Sequence, residues 1–271
     1  MNSDELIYVY CISDSIPILE KITWQNGLKY LIFQDYYIIT KYVSADEFSE
    51  ENLKKNFSNM PWVETHAREH IRIISIITKN NTVIPFKFGT IYNSEDSLKK
   101  FINDHSSSIR KNLEKVHGKE EWSAKIYYNS GILKSNISGL SEEIRKLEQK
   151  IAEGSPGKAY LLEKKKNDIM QQEIEKIINI YGQKCYDKLK EKSELNQINN
   201  LLPRELSGKK EEMILNVAYL VKKQNVHDFI NTAILLKNEY KNLGFKIEYT
   251  GPWPPFNFIN LYEQDAEQHN K

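Results

Sequence analysis

Long apolar runs are missing from this 271-residue sequence; stretches such as Leu6–Ile12 and Ile73–Ile77 are short. They fall far short of the roughly 20 residues that span a bilayer, so no membrane partner is expected. A surplus of charge is missing too, since 38 basic side chains face 37 acidic ones for a formal net charge of +1. That balance removes the polyelectrolyte argument for nucleic acid or for an anionic lipid surface. Cysteine is scarce. Cys11 falls in an expected strand and Cys185 in an expected long helix, which argues against a disulfide framework and fits a reduced, cytoplasmic protein. The first residues include Asp4 and Glu5 and show no basic n-region, long apolar stretch or small-residue cleavage site, so secretion is not expected. Gly154-Ser155-Pro156-Gly157-Lys158 lacks the glycine and lysine spacing of a phosphate-binding loop, and no nucleophile elbow or C-x-x-C occurs. No cofactor is expected.

What is present is ordinary globular material, with 40% hydrophobic and 28% charged residues and an unusual 16 tyrosines. The length suits two domains, read as 1–130 and 131–271. In the first, Leu6–Ile12, Leu28–Phe33 and Tyr36–Val43 read as strands, the last two joined by a tight hairpin at Gln34-Asp35. A helix over Trp62–Thr78 presents Ala67, Ile71, Ile74 and Ile77 or Thr78 on one side. A short strand at Thr82–Ile84, a turn at Pro85–Thr90, one helix from about Ser94 to Val116 and a strand at Trp122–Tyr128 follow. Asn93-Ser94-Glu95-Asp96 supplies cap candidates and first-turn acid. This order predicts an α+β fold with an N-terminal ferredoxin-like antiparallel sheet carrying helices.

The second domain, read as α/β, begins with a charged helical extension, about 133–193. Leu140, Ile144, Leu147 and Ile151 form one apolar stripe; Met170, Ile174, Ile177, Tyr181, Cys185 and Leu189 form another, with a break at Gly154–Gly157. Such spacing predicts a long helical hairpin or coiled-coil extension. Strands near Leu195–Leu201 and at Met213–Val221, a helix over Val226–Leu243 and a strand at Phe245–Thr250 complete it. Gly251 and the three prolines 252, 254 and 255 are expected to stop that last strand. Trp253, Phe256 and Phe258 are then expected to pack back onto the C-terminal sheet, or to face a partner.

Two local motifs invite chemistry. His66-Ala67-Arg68-Glu69-His70 matches H-x-x-E-H, the inverted zincin pattern, and would make a zinc-dependent hydrolase of the His66/His70 pair. Such a site needs a third ligand and an open position for water, and no downstream residue stands out as that ligand. The ordinary account places both histidines along the border of the helix's apolar face, sharing partners with Glu64 and Glu69. Pro85-Phe86-Lys87-Phe88-Gly89 combines a glycine suited to positive φ with two aromatics expected on one side and one cation between them. It reads as a turn anchoring strand to helix, or as a contact surface using Lys87. The protein-contact or structural candidates are therefore Pro85, Phe86, Lys87, Phe88, Gly89, Trp253, Pro254, Pro255, Phe256 and Phe258. No catalytic or metal site is assigned.

These motifs together resemble a family. His70 in the helix begun near Trp62, followed by Thr82-Val83-Ile84-Pro85-Phe86-Lys87-Phe88-Gly89-Thr90, resembles its histidine and proline–aromatic–FGT signature. Gly157–Glu163, Leu215–Val221 and Thr250-Gly251-Pro252-Trp253-Pro254-Pro255-Phe256-Asn257-Phe258 resemble its later motifs. The sequence is thereby similar to the gas vesicle protein F/L family, with Lys87 where arginine is usual and Phe256 where tyrosine is usual. The resemblance implies a minor, non-catalytic structural or assembly protein of gas vesicles, cytoplasmic and vesicle-associated. It would act with the small hydrophobic shell protein GvpA and other minor gas vesicle proteins, through an N-terminal ferredoxin-like domain and a C-terminal α/β domain with extended helices.

Overall fold

A computed structural model of the chain describes residues 5–19, 22 and 27–261. It divides into two compact units. One is built from residues up to Glu121 together with those from Pro252 onward, the other from Trp122–Gly251. The division near residue 130 expected from composition lies inside the second unit, and the residues from Pro252 belong to the first. Both units are mixed α+β.

The first unit is organised around β1 (Glu5–Ser13), which pairs antiparallel with β3 (Tyr36–Ser44); β3 in turn pairs with the edge strand β2 (Leu28–Phe33). Phe33 lies opposite Tyr36 and Gln34 has φ of 53°, so Gln34-Asp35 is the two-residue hairpin the sequence predicts. Ala45–Phe48 (α1) and Glu50–Asn56 (α2) follow, neither of which the sequence reading anticipated, then the long α3, Met60–Thr78. On its far side β1 takes β4 (Val83–Pro85) and β5 (Ile91–Tyr92), giving the order β2-β3-β1-β4. The expected single helix after Asn93 is two, α4 (Glu95–Asp104) and α5 (Ser106–Val116), parted at His105. Ser94 and Ser97 cap α4 reciprocally.

A β-bulge in β1 decides what each face of this sheet carries. Val9 lies opposite Thr40 while Cys11 lies opposite Ile39, leaving Tyr10 as the extra residue. Strict alternation would put Tyr8, Tyr10 and Ile12 on one side. The bulge swaps the later residues, so Tyr8, Tyr10 and Cys11 share one face while Ile7, Val9 and Ile12 share the other. The first of these faces is covered by α1–α3 through Phe48, Leu53, Ile73, Ile74 and Ile77; the second meets α4 and α5 through Leu98, Ile102 and Ile109. In α3 the buried residues are His70, Ile73, Ile74 and Ile77, and Ile71 is exposed. The stripe is rotated from the expected one because a histidine, not an isoleucine, occupies the buried turn.

The second unit contains β6 (Lys119–Tyr128, entering from the first unit), α6 (Ser130–Ser135), α7 (Ile137–Leu140), α8 (Glu142–Ala152) and α9 (Pro156–Lys190). The break between α8 and α9 falls where glycine and proline place it, with Pro156 in the first turn. At 1.5 Å per residue α9 is roughly 50 Å long. Ile174, Ile177, Cys185 and Leu189 are buried along it, as the spacing predicts. β7 (Leu195–Ile198), α10 (Arg204–Ser207), β8 (Glu212–Lys222), α11 (Val226–Tyr240) and β9 (Phe245–Trp253) complete a sheet of order β7-β8-β6-β9. β9 runs through Gly251 and Pro252 instead of stopping at Thr250. A prolyl residue is tolerated there because β9 is an edge strand, where a missing N–H need not break a ladder. Among the described residues, no helix is long and apolar enough to cross a membrane.

Candidate functional site

The Pro85–Thr90 turn is tied to the centre of the first unit's sheet by one buried histidine. His70 Nε2 lies 2.9 Å from the Phe86 carbonyl oxygen and His70 Nδ1 lies 2.8 Å from the Tyr8 hydroxyl. A carbonyl only accepts, so Nε2 carries the proton and Nδ1 accepts from Tyr8 O–H. The Tyr8 oxygen accepts in turn from Gly89 N–H at 3.2 Å. Every polar atom of the relay is satisfied while the imidazole is neutral. Burial pushes the His70 pKa down to about 4, partly opposed by its bond to Phe86.

Gly89 is required at this turn. Its φ is +80°, and a Cβ there would stand 2.8 Å from Phe57 Cζ. The two phenylalanines of the motif do not share a side. Phe86 is buried in the core under α4 and α5, against Phe101. Phe88 is half-buried on the opposite face, against Phe57, Trp62 and His70. The turn crosses the sheet edge between them, and Lys87 at its apex is exposed. Pro85 is buried, opposite Cys11.

The H-x-x-E-H pattern does not converge. Both nitrogens of His70 are committed to Tyr8 and Phe86. His66 turns elsewhere, giving its Nδ1 proton to the Trp62 carbonyl at 2.8 Å, stacking on the Trp62 ring and placing Nε2 3.4 Å from Glu47. Among the described residues no group of three or more His, Cys, Asp or Glu side chains could hold a metal ion. Burial also pushes both thiols up, Cys185 to about 12, which leaves neither as a nucleophile near neutral pH. The geometry sets the metal reading aside and also corrects the border account: His70 lies in the core, and neither histidine shares a partner with Glu64 or Glu69, because Tyr8, Phe86, Trp62 and Glu47 lie closer to hand.

The C-terminal motif packs on the first unit, not on the C-terminal sheet as expected. Phe256 joins the α1–α3 face, 6.4 Å from the His70 ring, while Ile259 and Leu261 join the α4–α5 face. Pro254, Pro255 and Phe258 are buried, whereas Trp253 is 40% exposed. Polar staples run alongside. Glu121 accepts from Asn257 N–H at 3.0 Å and from Asn257 Nδ2 at 2.6 Å. Lys115 Nζ donates to the Phe258 carbonyl, and Asn112 bonds Asn260 reciprocally. Burial lifts the Glu121 carboxyl to about 7 despite the two bonds from Asn257 that favour its charged form. Tyr8, Asn112, Lys115, Glu121 and Asn257 were not among the sequence candidates. Nothing local marked Glu121, which follows Glu120 in an ordinary charged run before Trp122.

Two separated sequence motifs, the histidine with its turn and the proline-rich ending, thus meet around one imidazole. A profile for the family described as "Gas vesicle synthesis protein GvpL/GvpF" matches residues 6–260. The chain belongs to the GvpL/GvpF family. Gas vesicle protein L of Streptomyces sp. (strain CB03234) is 22% identical, the match covering 99% of this chain and 98% of that protein. Gas vesicle protein L1 of Halobacterium salinarum is 26% identical over 73% of this chain and 69% of its own length. In fold, the chain is similar to the crystal structure of GvpF from Anabaena sp. PCC7120, with a TM-score of 0.64 and 17% identity, covering 94% of this chain and 98% of that one. GvpF from Microcystis aeruginosa is similar at a TM-score of 0.62 and 13% identity, over 94% and 99%. In this chain the His70 helix and the Phe86–Gly89 turn are the two ends of one hydrogen-bonded clamp.

Proposed function

We propose that this protein is a non-catalytic assembly factor of gas vesicles that works in the cytoplasm, associates with the vesicle and binds its small hydrophobic shell protein GvpA, beside other minor gas vesicle proteins. The carrying observation is the family match across nearly the whole chain. The site chemistry points the same way, since the motif side chains His70 and Phe86 are spent on internal contacts. A subunit with a gas-facing apolar surface is costly to hold in water before assembly, and a folded partner offering apolar contact lowers that cost. The surface we assign to this contact is Lys87 with Phe57, which packs against Phe88 and is 45% exposed. The turn residues Pro85, Phe86, Phe88 and Gly89 hold it in shape; Trp253, Pro254, Pro255, Phe256 and Phe258 form the supporting anchor. Two finer architectural readings stand with this proposal. The all-antiparallel order β4-β1-β3-β2 supports a ferredoxin-like first domain, and the α8–α9 hairpin supports a coiled-coil extension.

Co-expression of the full chain with GvpA tests the proposal. A soluble complex should form, Lys87→Glu should weaken it in protein of unchanged stability, and deletion of the gene should abolish vesicles. Absence of association together with unchanged vesicle yield would overturn the proposal.

A further inference from the structure

Beside the clamp lies a cavity of about 250 Å³ that the clamp does not use. Its walls come from β1 (Tyr8, Tyr10), β3 (Tyr42), α1 (Glu47, Phe48) and α3 (His66, Glu69). The volume is below the roughly 300–1,000 Å³ of small-molecule sites, and suits one side chain better than a cofactor. Aromatic and charged side chains share its walls. Tyr8 and Tyr10 pack at 4.7 Å, Phe48 stands edge-on to Tyr8 at 5.8 Å, and His66 is fixed over Trp62.

The charges in this aromatic setting are unbalanced. Glu47 is occupied, accepting from Trp62 Nε1 at 2.7 Å. Glu69 has no hydrogen-bond or ion-pair partner among the described residues. Of the cations near it on the helix, Arg68 is turned onto Glu64, and Arg72, one turn on, is held by interactions of its own. Lys41 also lines the cavity but is held by interactions of its own. The two carboxylates outnumber that lysine, and His66 directs its Nε2 at Glu47, 3.4 Å away, leaving Glu69 as the carboxylate without a partner among the described residues. A carboxylate without a partner in a cavity that tyrosine and phenylalanine side chains also line is a setting that attracts an organic cation, by Coulomb attraction and by contact with the rings. An anion would meet Glu69, and a neutral apolar group would leave its carboxylate without a partner.

We propose that this cavity receives one lysine or arginine side chain presented by a partner protein. Charge complementarity with Glu69 and the side-chain-sized volume commit it to that occupant. The inference concerns the chemistry of the cavity and holds whichever protein presents the cation.

The test titrates the full chain with N-acetyl-lysine methylamide, butylammonium and neutral n-butanol, following the ring resonances of His66 and Tyr10 by NMR. Saturable shifts with both cations and none with butanol are expected. Glu69→Gln, which keeps shape and removes charge, should weaken cation binding about tenfold, the effect of losing one charge-assisted contact of about 1.4 kcal/mol. Butylammonium binding with rejection of the blocked lysine would overturn the proposal in favour of a free-amine site. Equal binding of butanol, or an unchanged Glu69→Gln titration, would also overturn it, as would no shift with any probe. Because the titration uses no shell protein, its outcome is separate from the test of GvpA binding.

Discussion

Removing a single oxygen should show how much the His70 clamp contributes to the fold. Tyr8→Phe keeps the ring, its 4.7 Å contact with Tyr10 and its edge contact with Phe48, so no cavity term is added. What disappears is the hydroxyl that donates to His70 Nδ1 and accepts from Gly89 N–H. A net hydrogen bond is worth about 0.5–1.5 kcal/mol, and a buried acceptor left unpaired costs about 1–3 kcal/mol. His70 is buried, so its Nδ1 bears the larger cost; the longer bond from Gly89 adds the smaller. The expected loss is about 2–4 kcal/mol. Urea denaturation with paired probes, near-ultraviolet circular dichroism and Trp fluorescence, would show an earlier midpoint at unchanged slope. The double variant Tyr8→Phe/His70→Phe should cost less than the sum of the single changes, since the stranded acceptor is removed with its donor. A Tyr8→Phe loss below about 0.5 kcal/mol, the ordinary surface range, would refute the clamp and leave His70 as a packing residue only.

The remaining predictions concern acid, anchor and turn. Glu121 binds its proton more readily folded than unfolded, so its contribution is fullest below about pH 4.5 and is lost as pH rises toward about 7. His70 does the reverse, with its contribution fullest above about pH 6.5 and lost as pH falls toward about 4. The two oppose each other between, at roughly 3 kcal/mol each, and Glu121→Gln should expose a steep acid loss in stability measured against pH; a profile parallel to the parent would refute this. Phe258→Ala should cost about 3–5 kcal/mol by calorimetry, whereas Trp253→Ala, at an exposed position, should cost far less, and the opposite ranking would return the anchor to Trp253. Gly89→Ala should destabilise by about 1–2 kcal/mol from φ alone, more if Phe57 cannot move, and a neutral change in thermal unfolding would sink the positive-φ argument.

The sequence disclosed features whose cause is local. Gln34-Asp35 turns a hairpin, Gly154–Pro156 parts two helices, and the Ile174–Leu189 spacing finds the buried stripe of α9. The Pro85–Thr90 and Thr250–Phe258 motifs were equally legible, because each is contiguous in the chain. What stayed hidden depends on partners distant in sequence. The Tyr10 bulge exchanges Cys11 and Ile12 between faces without any local mark. His70 takes a core position that periodicity assigned to Ile71, because only Tyr8 and Phe86, 62 and 16 residues away, make an imidazole affordable there. Glu121 meets Asn257 across 136 residues, a separation at which no pattern of neighbours can signal pairing. The same limit misplaced the aromatic ending on the wrong sheet.

That ending has a bearing on the order in which the protein is made. The first unit is interrupted in the chain by the whole of the second, and Phe256, Ile259 and Leu261 reach its two faces only from the far end. During synthesis at about 5–20 residues per second, the sheet and helices up to Glu121 emerge well before the residues that cover them. Until then the apolar ground beneath Leu261 and the Glu121 carboxylate lack their eventual neighbours. The second unit receives its own last core strand, with Phe245 and Ile247, directly before that segment, so the first unit holds its uncovered faces through the synthesis of the whole second unit.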